Sequence, residues 1–327
     1  MRRCIAASGA FLLVAARPAA AFVPLPGVVV DPAGAVVYLM TPGGGIDAVS
    51  LERGDLRWST AGAAKPLALV GRRLVAQAEP PGDGILRLVF LDTRAGKRVL
   101  GADVALPRGV RASIDEGLGT SLVATARADG GGVIVAWRSV KRPVGGLAPG
   151  PDAPPPARLE EGAARIDART GRVETRRPIP DAPARPRTAR VRRDERECVV
   201  LERAAPAAEV TLACGRPVAQ LESADGRHVL VALRAEGERR AQGDYVWSVH
   251  VLDDGARVAQ LASGWSALPF FVRDSRLVHE VRPSERMVDG ALVVEPRALR
   301  ALDLTSGAVV WSRPLRDPAY RGPYPAR

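Results

Sequence analysis

The phrase Ala301-Leu302-Asp303-Leu304-Thr305-Ser306-Gly307-Ala308-Val309-Val310-Trp311-Ser312 constrains this chain more than any other stretch. It reads as a β-hairpin, with an apolar strand, a tight turn and a second strand that ends on an aromatic. Asp303 is placed to accept hydrogen bonds from backbone N–H groups two or three positions on. Gly307 takes a positive φ without steric cost. The same phrase recurs from Ile46 to Trp58, and weaker copies lie between the two. Aligned on the turn glycine, the copies fall at Gly54, Gly96, Gly171, Gly215, Gly255 and Gly307. The turn carboxylates are read as Asp47, Asp92, Asp167, Asp253 and Asp303, and the aromatics Trp58 and Trp311 as wedges between neighbouring units. The fourth copy has lost its Asp, and the fifth reads as two residues shorter in the turn.

The glycines are spaced 42, 75, 44, 40 and 52 residues apart. The long interval contains an insertion, 142–162, with the proline-rich run Pro149 to Pro156. Upstream of the turns lie further apolar strands, such as Ala35 to Met40 and His228 to Leu233. A period in the forties built from short antiparallel strands predicts an all-β β-propeller, each repeat one four-stranded blade. Six repeats are counted. A seventh is open, because Ser121–Ala126 and Val133–Trp137 add strands within the long interval. The expected organisation is a signal peptide over 1–21, the propeller over 22–315 and a proline-rich tail over 316–327.

The pattern of apolar residue, Asp, spacer, Thr or Ser, Gly, spacer and Trp resembles the repeat of the PQQ-like (quinoprotein-like) β-propellers. Ala301 to Ser312 and Ile46 to Thr60 carry the resemblance best, and Ile166 to Val173 less well. In that family the dehydrogenases hold pyrroloquinoline quinone and calcium on the propeller axis, under a disulfide between adjacent cysteines and over a stacking Trp. This chain has no adjacent cysteines, and its two repeat tryptophans stand at blade-packing positions. No quinone-binding, catalytic or metal-ligating residue is therefore named, and no cofactor is expected. The resemblance also covers a bacterial outer-membrane assembly scaffold, which implies that such a propeller serves without catalysis.

The N-terminus suggests export. Met1-Arg2-Arg3 precedes about thirteen mostly apolar residues and the small run Ala19-Ala20-Ala21, the three parts of a secretory signal. The apolar run is too short to span a bilayer, which takes about 20 residues, and no later segment is long enough. The alternative is an apolar N-terminus on a cytosolic protein. Export places Cys198 and Cys214 in an oxidising compartment. Folding their neighbourhood as a hairpin about Pro206 opposes residues whose numbers sum to 412, as those of the two cysteines do. A cross-strand disulfide is expected, with two separate buried thiols as the alternative.

The net charge of +11 comes from 47 basic residues, of which three are lysine, Lys65, Lys97 and Lys141. That arginine bias reads as a property of the source genome. The densest run, Arg185 to Arg196, has no aromatic residue to stack a base, so a solvated face is favoured over nucleic-acid binding. His228, His250 and His279 lie in strand contexts without metal spacing. Gly43–Gly45 and Gly130–Gly132 sit between strands with no following helix, so they read as hairpin loops. Glu160-Glu161 reads as a solvated linker. Two functions remain. One is a monomeric binding or assembly platform in the periplasm or outside the cell, meeting protein partners through loops at one propeller face. The other is an enzyme (hydrolase, lyase or quinone-dependent oxidoreductase) with its site in the central funnel. The loops singled out are 142–162, read either as a partner-binding segment or as a spacer, and 283–296.

Overall fold

Strands in this chain are apolar on both faces, and the architecture follows from where those faces go. The computed structural model describes residues 27–327 apart from 32, 34, 79–83, 109, 111, 113, 115–119, 142–157, 177–190, 203–208, 216, 218, 224–226, 236–244, 264–269, 274, 318–319, 321 and 326–327. The expected signal segment therefore lies outside the described residues, as does most of the 142–162 insertion. The described residues contain strands and turns and no helix, and no helix is long and apolar enough to cross a membrane.

Six meandering antiparallel sheets follow one another along the chain. The first is β1 (Val28–Asp31), β2 (Val36–Met40), β3 (Ile46–Ser50) and β4 (Leu56–Thr60). The second is β5 (Lys65–Val70), β6 (Arg73–Gln77), β7 (Ile85–Asp92) and β8 (Arg98–Ala105). The third is β9 (Thr120–Asp129), β10 (Gly132–Lys141), β11 (Arg158–Asp167) and β12 (Val173–Arg176). The fourth has three described strands, β13 (Val191–Arg193), β14 (Val199–Glu202) and β15 (Glu209–Ala213). The fifth is β16 (Ala219–Glu222), β17 (His228–Arg234), β18 (Tyr245–Val251) and β19 (Arg257–Ser263). The sixth joins β20 (Phe270–Arg273), β21 (Arg276–Val281), β24 (Ala298–Asp303) and β25 (Val309–Pro314), with a separate hairpin, β22 (Ser284–Val288) and β23 (Ala291–Glu295), between its second and third strands.

Side chains alternate across a strand, so each sheet feeds two interfaces. In β2, Val37 and Leu39 pack toward the sixth sheet with Val278, Leu299 and Trp311, while Val36 and Tyr38 pack toward the second with Leu74 and Val89. Apolar clusters likewise join the second sheet to the third, the fourth to the fifth and the fifth to the sixth. The cluster that holds Trp311 joins the sixth sheet, last in the chain, to the first. The initial strands lie innermost, with β1 against β5 and β5 against β9. This is a β-propeller with six blades among the described residues. Ser121–Ala126 and Val133–Trp137, the candidates for a seventh, belong to β9 and β10 of the third sheet.

In a four-stranded meander, the first and third connections share one end, and the second connection shares the other end with the links between sheets. The glycine turns therefore gather on one face, called here the turn face. Both insertions are second connections and leave from the opposite, loop face. The first is shorter than the sequence suggested: Arg158 to Gly162 pair with Trp137 to Lys141, so Glu160 and Glu161 are strand residues and not linker. Residues 283–296 form the β22–β23 hairpin, turning at Asp289-Gly290, both with positive φ.

Candidate functional site

The repeat turns are built as one device. Asp92 Oδ1 accepts from the N–H groups of Arg94 and Ala95 at 2.9 and 3.1 Å. Asp167 and Asp303 do the same for Arg169 and Thr170, and for Thr305 and Ser306. The Asp303 carboxyl is drawn down to about 2 by those backbone donors and by the Arg276 guanidinium. In each case the glycine four residues on donates its N–H to the Asp carbonyl. Two residues stand elsewhere than the sequence placed them. Asp47 lies buried within β3, and Ser50 takes the turn position, its hydroxyl accepting from Arg53 N–H at 3.3 Å. In the fifth copy Val251 holds that position: Gly255 N–H bonds to Val251 C=O at 2.9 Å, so the turn is not shortened and Asp253 lies inside it.

The tryptophans act between sheets by reaching over the next sheet's turn. Trp58 Nε1–H donates to Thr93 C=O at 2.9 Å, and Trp311 Nε1–H to Leu51 C=O at 3.0 Å. A Cβ on Gly96 would lie 2.5 Å from the Trp58 ring, and one on Gly54 would lie 2.6 Å from Trp311. Leu100 holds the equivalent place in the second sheet, 3.3 Å from a Cβ on Gly171. In the fourth sheet, residues of the third strand perform this role, with Val210 standing 2.6 Å from a Cβ on Gly255. These are packing contacts and leave no reacting group free.

Cys198 and Cys214 form a disulfide. Val199 pairs with Ala213 in the register the hairpin reading assumed. A bulge between Val199 and Val200 then shifts the pairing by one, so that Val200 meets Thr211. The bond ties the start of β14 to the end of β15.

The histidines are held by neighbours in the sheets. His250 hydrogen bonds Gly255 C=O at 3.1 Å and Ser248 Oγ at 2.9 Å, and burial lowers its pKa. His228 is buried at the start of β17, where its N–H meets Ser223 Oγ at 2.9 Å. His279 on β21 lies wholly inside, and desolvation takes its pKa down to about 4. Beside it, Glu280 is 3% exposed and accepts both arms of Arg297, at 2.7 and 3.1 Å. Arg297 sits where the β22–β23 hairpin returns to the sheet, and its carbonyl accepts from Leu315 N–H at 2.8 Å. The base of the hairpin is thus fastened by a buried fork and by the segment that follows β25. At its outer end Met287 and Leu292 face each other across the two strands, 64% and 59% exposed. Sequence reasoning singled out this segment as a loop and missed the exposed pair; alternating apolar residues around Asp-Gly were the available signal.

A cavity adjoins the fourth and fifth sheets. It holds about 480 Å³ between the end of β15 and the fifth sheet, with Leu212, Leu233, Val246, Ser248, Arg234 and Arg257 in its wall. Among the described residues, no group of three or more His, Cys, Asp or Glu is placed to hold a metal ion. The basic run places Arg192 on β13, paired with Glu202 and Glu209, while 185–190 lie outside the described residues.

No family model matches the chain, and neither does any curated protein sequence. Among solved structures, the chain is similar to BamB from Moraxella catarrhalis at 15% identity, over 88% of this chain and 63% of that one, with a TM-score of 0.31. The AtxE2 isopeptidase without ligand matches at 15% identity over 90% of this chain and 51% of that one, with a TM-score of 0.46. A quinohemoprotein alcohol dehydrogenase from Pseudomonas putida matches at 12% identity over 88% and 41%, with a TM-score of 0.26. The chain thus spans well under two thirds of the isopeptidase and just under two thirds of BamB.

Proposed function

We propose that this protein is a non-catalytic, exported propeller that acts as a monomeric binding or assembly platform in a bacterial cell envelope, offering its loop face to a protein partner. The observation that carries this reading is the β22–β23 hairpin. Its base is fixed by Glu280 and Arg297, and its outer end exposes Met287 and Leu292 as an adjacent apolar pair. Exposed apolar residues that touch one another on a braced projection favour contact with another protein. The lengthened strands β9 to β11 leave the same face. The export part of the reading rests on the N-terminal segment and on the Cys198–Cys214 disulfide.

The test is a tagged full-length chain expressed with its own N-terminus, crosslinked in cells and purified from the envelope fraction. The double variant Met287→Ser, Leu292→Ser is expected to melt at the wild-type temperature, because both side chains are already in water, and to lose at least tenfold of the crosslinked partner. Equal crosslinking by both proteins, or recovery of the chain from the cytosol with free thiols, would overturn the reading.

A further inference from the structure

We propose that the outer edge of β15, with the cavity beside it, takes an extended segment of another polypeptide as the fourth strand of the fourth sheet, and that the segment alternates apolar with acidic side chains. The proposal deepens the platform reading, on which it rests for the class of ligand.

The topology supplies the vacancy for a strand. Five sheets return a fourth strand after the glycine turn, and among the described residues the fourth sheet does not. Its turn glycine is present, with Gly215 at φ 99°. The chain then runs from Ala213 to Ala219, where β16 already belongs to the fifth sheet. Too few residues separate them to make a strand and a return. Instead the chain passes inward, and Pro217 C=O accepts from Arg193 Nη2 at 2.6 Å on the innermost strand of the fourth sheet. Among the described residues, nothing pairs with the outer edge of β15. The other five blade sheets end on a fourth strand, so among the described residues this is a third strand left at an edge. An unpaired edge is a ready template for another strand.

The missing strand also uncovers part of the fifth sheet. Leu233, Val246 and Ser248 face the cavity half-buried, and Leu212 closes it from the β15 side. Leu212, Leu233 and Val246 give that wall an apolar stretch, with Ser248 and Gln260 as polar neighbours, and it suits alternate side chains of an extended segment. Arg234 and Arg257 stand exposed in the same wall and make no ion pair among the described residues. Arginines elsewhere, such as Arg297 with Glu280 and Arg192 with Glu202, do pair. Two guanidinium groups with no ion pair among the described residues, beside the apolar side chains of Leu233 and Val246, ask for carboxylates on the alternate positions. The Cys198–Cys214 bond holds the end of the edge strand in place before anything binds, which lowers the ordering cost of pairing.

The probe is a fluorescein-labelled hexapeptide of alternating valine and glutamate, titrated into the full-length oxidised protein and read by anisotropy. Saturable binding is expected. It should weaken at least tenfold when alternate peptide amides are N-methylated, and at least tenfold in Val246→Trp, which fills the cavity. Since Val246→Trp disturbs packing, Arg234→Glu with Arg257→Glu provides the second arm. Both side chains are exposed, so folding is retained, and the preference should invert toward a valine–lysine peptide. Absence of saturable binding to the wild type, or binding indifferent to N-methylation and to both sets of variants, would overturn the proposal. So would a concentration-dependent dimer that Val246→Trp abolishes, because a second copy would then fill the edge. Loss here with hairpin-dependent crosslinking retained removes this site alone. The converse removes the loop-face reading and leaves the edge.

Discussion

Glycine at the turn answers two demands, and they separate at different copies. Gly96 and Gly307 have nearly the same backbone, with φ of 66° and 71°. A Cβ at Gly96 would meet Trp58 at 2.5 Å, while one at Gly307 would meet nothing within 4 Å. The reason lies one sheet back, because the residue that should cover Gly307 is the small Ala259, four residues after Gly255 as Trp58 is after Gly54. Gly307→Ala should therefore cost only the left-handed backbone penalty, about 1–2 kcal/mol. Gly96→Ala should lose a further ~1–3 kcal/mol through overpacking against the indole. Denaturant midpoints of the two variants check this, and equal losses would show that the tryptophan contact contributes nothing. The turn glycines and the carboxylates Asp92, Asp167 and Asp303 were legible from spacing alone. Asp47 was not, because a serine performs the same hydrogen bonding three residues later and leaves no carboxylate to align on.

At the scale of the element, β21 shows how a strand carries polar residues inside. Glu280 is met by the two arms of Arg297, and His279 Nδ1–H donates to Glu280 C=O, 3.2 Å away. Its other ring nitrogen has no hydrogen-bond partner among the described residues. Burial is the largest cause of its depressed pKa, and the nearby Arg300 charge acts in the same direction. The folded value, about 4, lies below the 6.5 of an ordinary histidine. The unfolded chain therefore binds more protons between those limits, and stability falls as pH drops from 6.5 toward 4. The loss from this residue is on the order of 3 kcal/mol. Denaturation of His279→Leu from pH 7 to pH 4.5 should show a shallower decline than wild type, and parallel curves would sink the assignment. His279 reads from sequence as half-buried because it alternates with Val278. Its full burial is a property of the packed fold.

For the whole molecule, the decisive contact joins the two ends of the chain. Trp311 reaches Leu51 C=O and covers Gly54, and Arg313 donates to Gly54 C=O at 3.2 and 2.7 Å. After β25, Arg316 N–H meets Met40 C=O at 3.3 Å, so the segment beyond the last strand crosses the same seam. Trp311→Ala should lower stability by about 3–5 kcal/mol, as for other buried aromatics. Amide exchange should rise first in β1 and β25, which flank the seam. Faster exchange confined to the third and fourth sheets instead would mean that the ring opens elsewhere.

The sequence by itself determined the fold class, the repeat period and five hairpin-turn glycines, because backbone sterics and strand alternation are local and recur every forty-odd residues. It also opposed Cys198 to Cys214, since a short hairpin leaves few registers. Only the tertiary structure decided which side chain covers which glycine, since those partners come from the preceding sheet and, at the seam, from the far end of the chain. It also decided that the insertions share one face and that the fourth sheet stops at three described strands. Both depend on the path between strands, and a list of apolar runs does not carry the direction in which the chain turns.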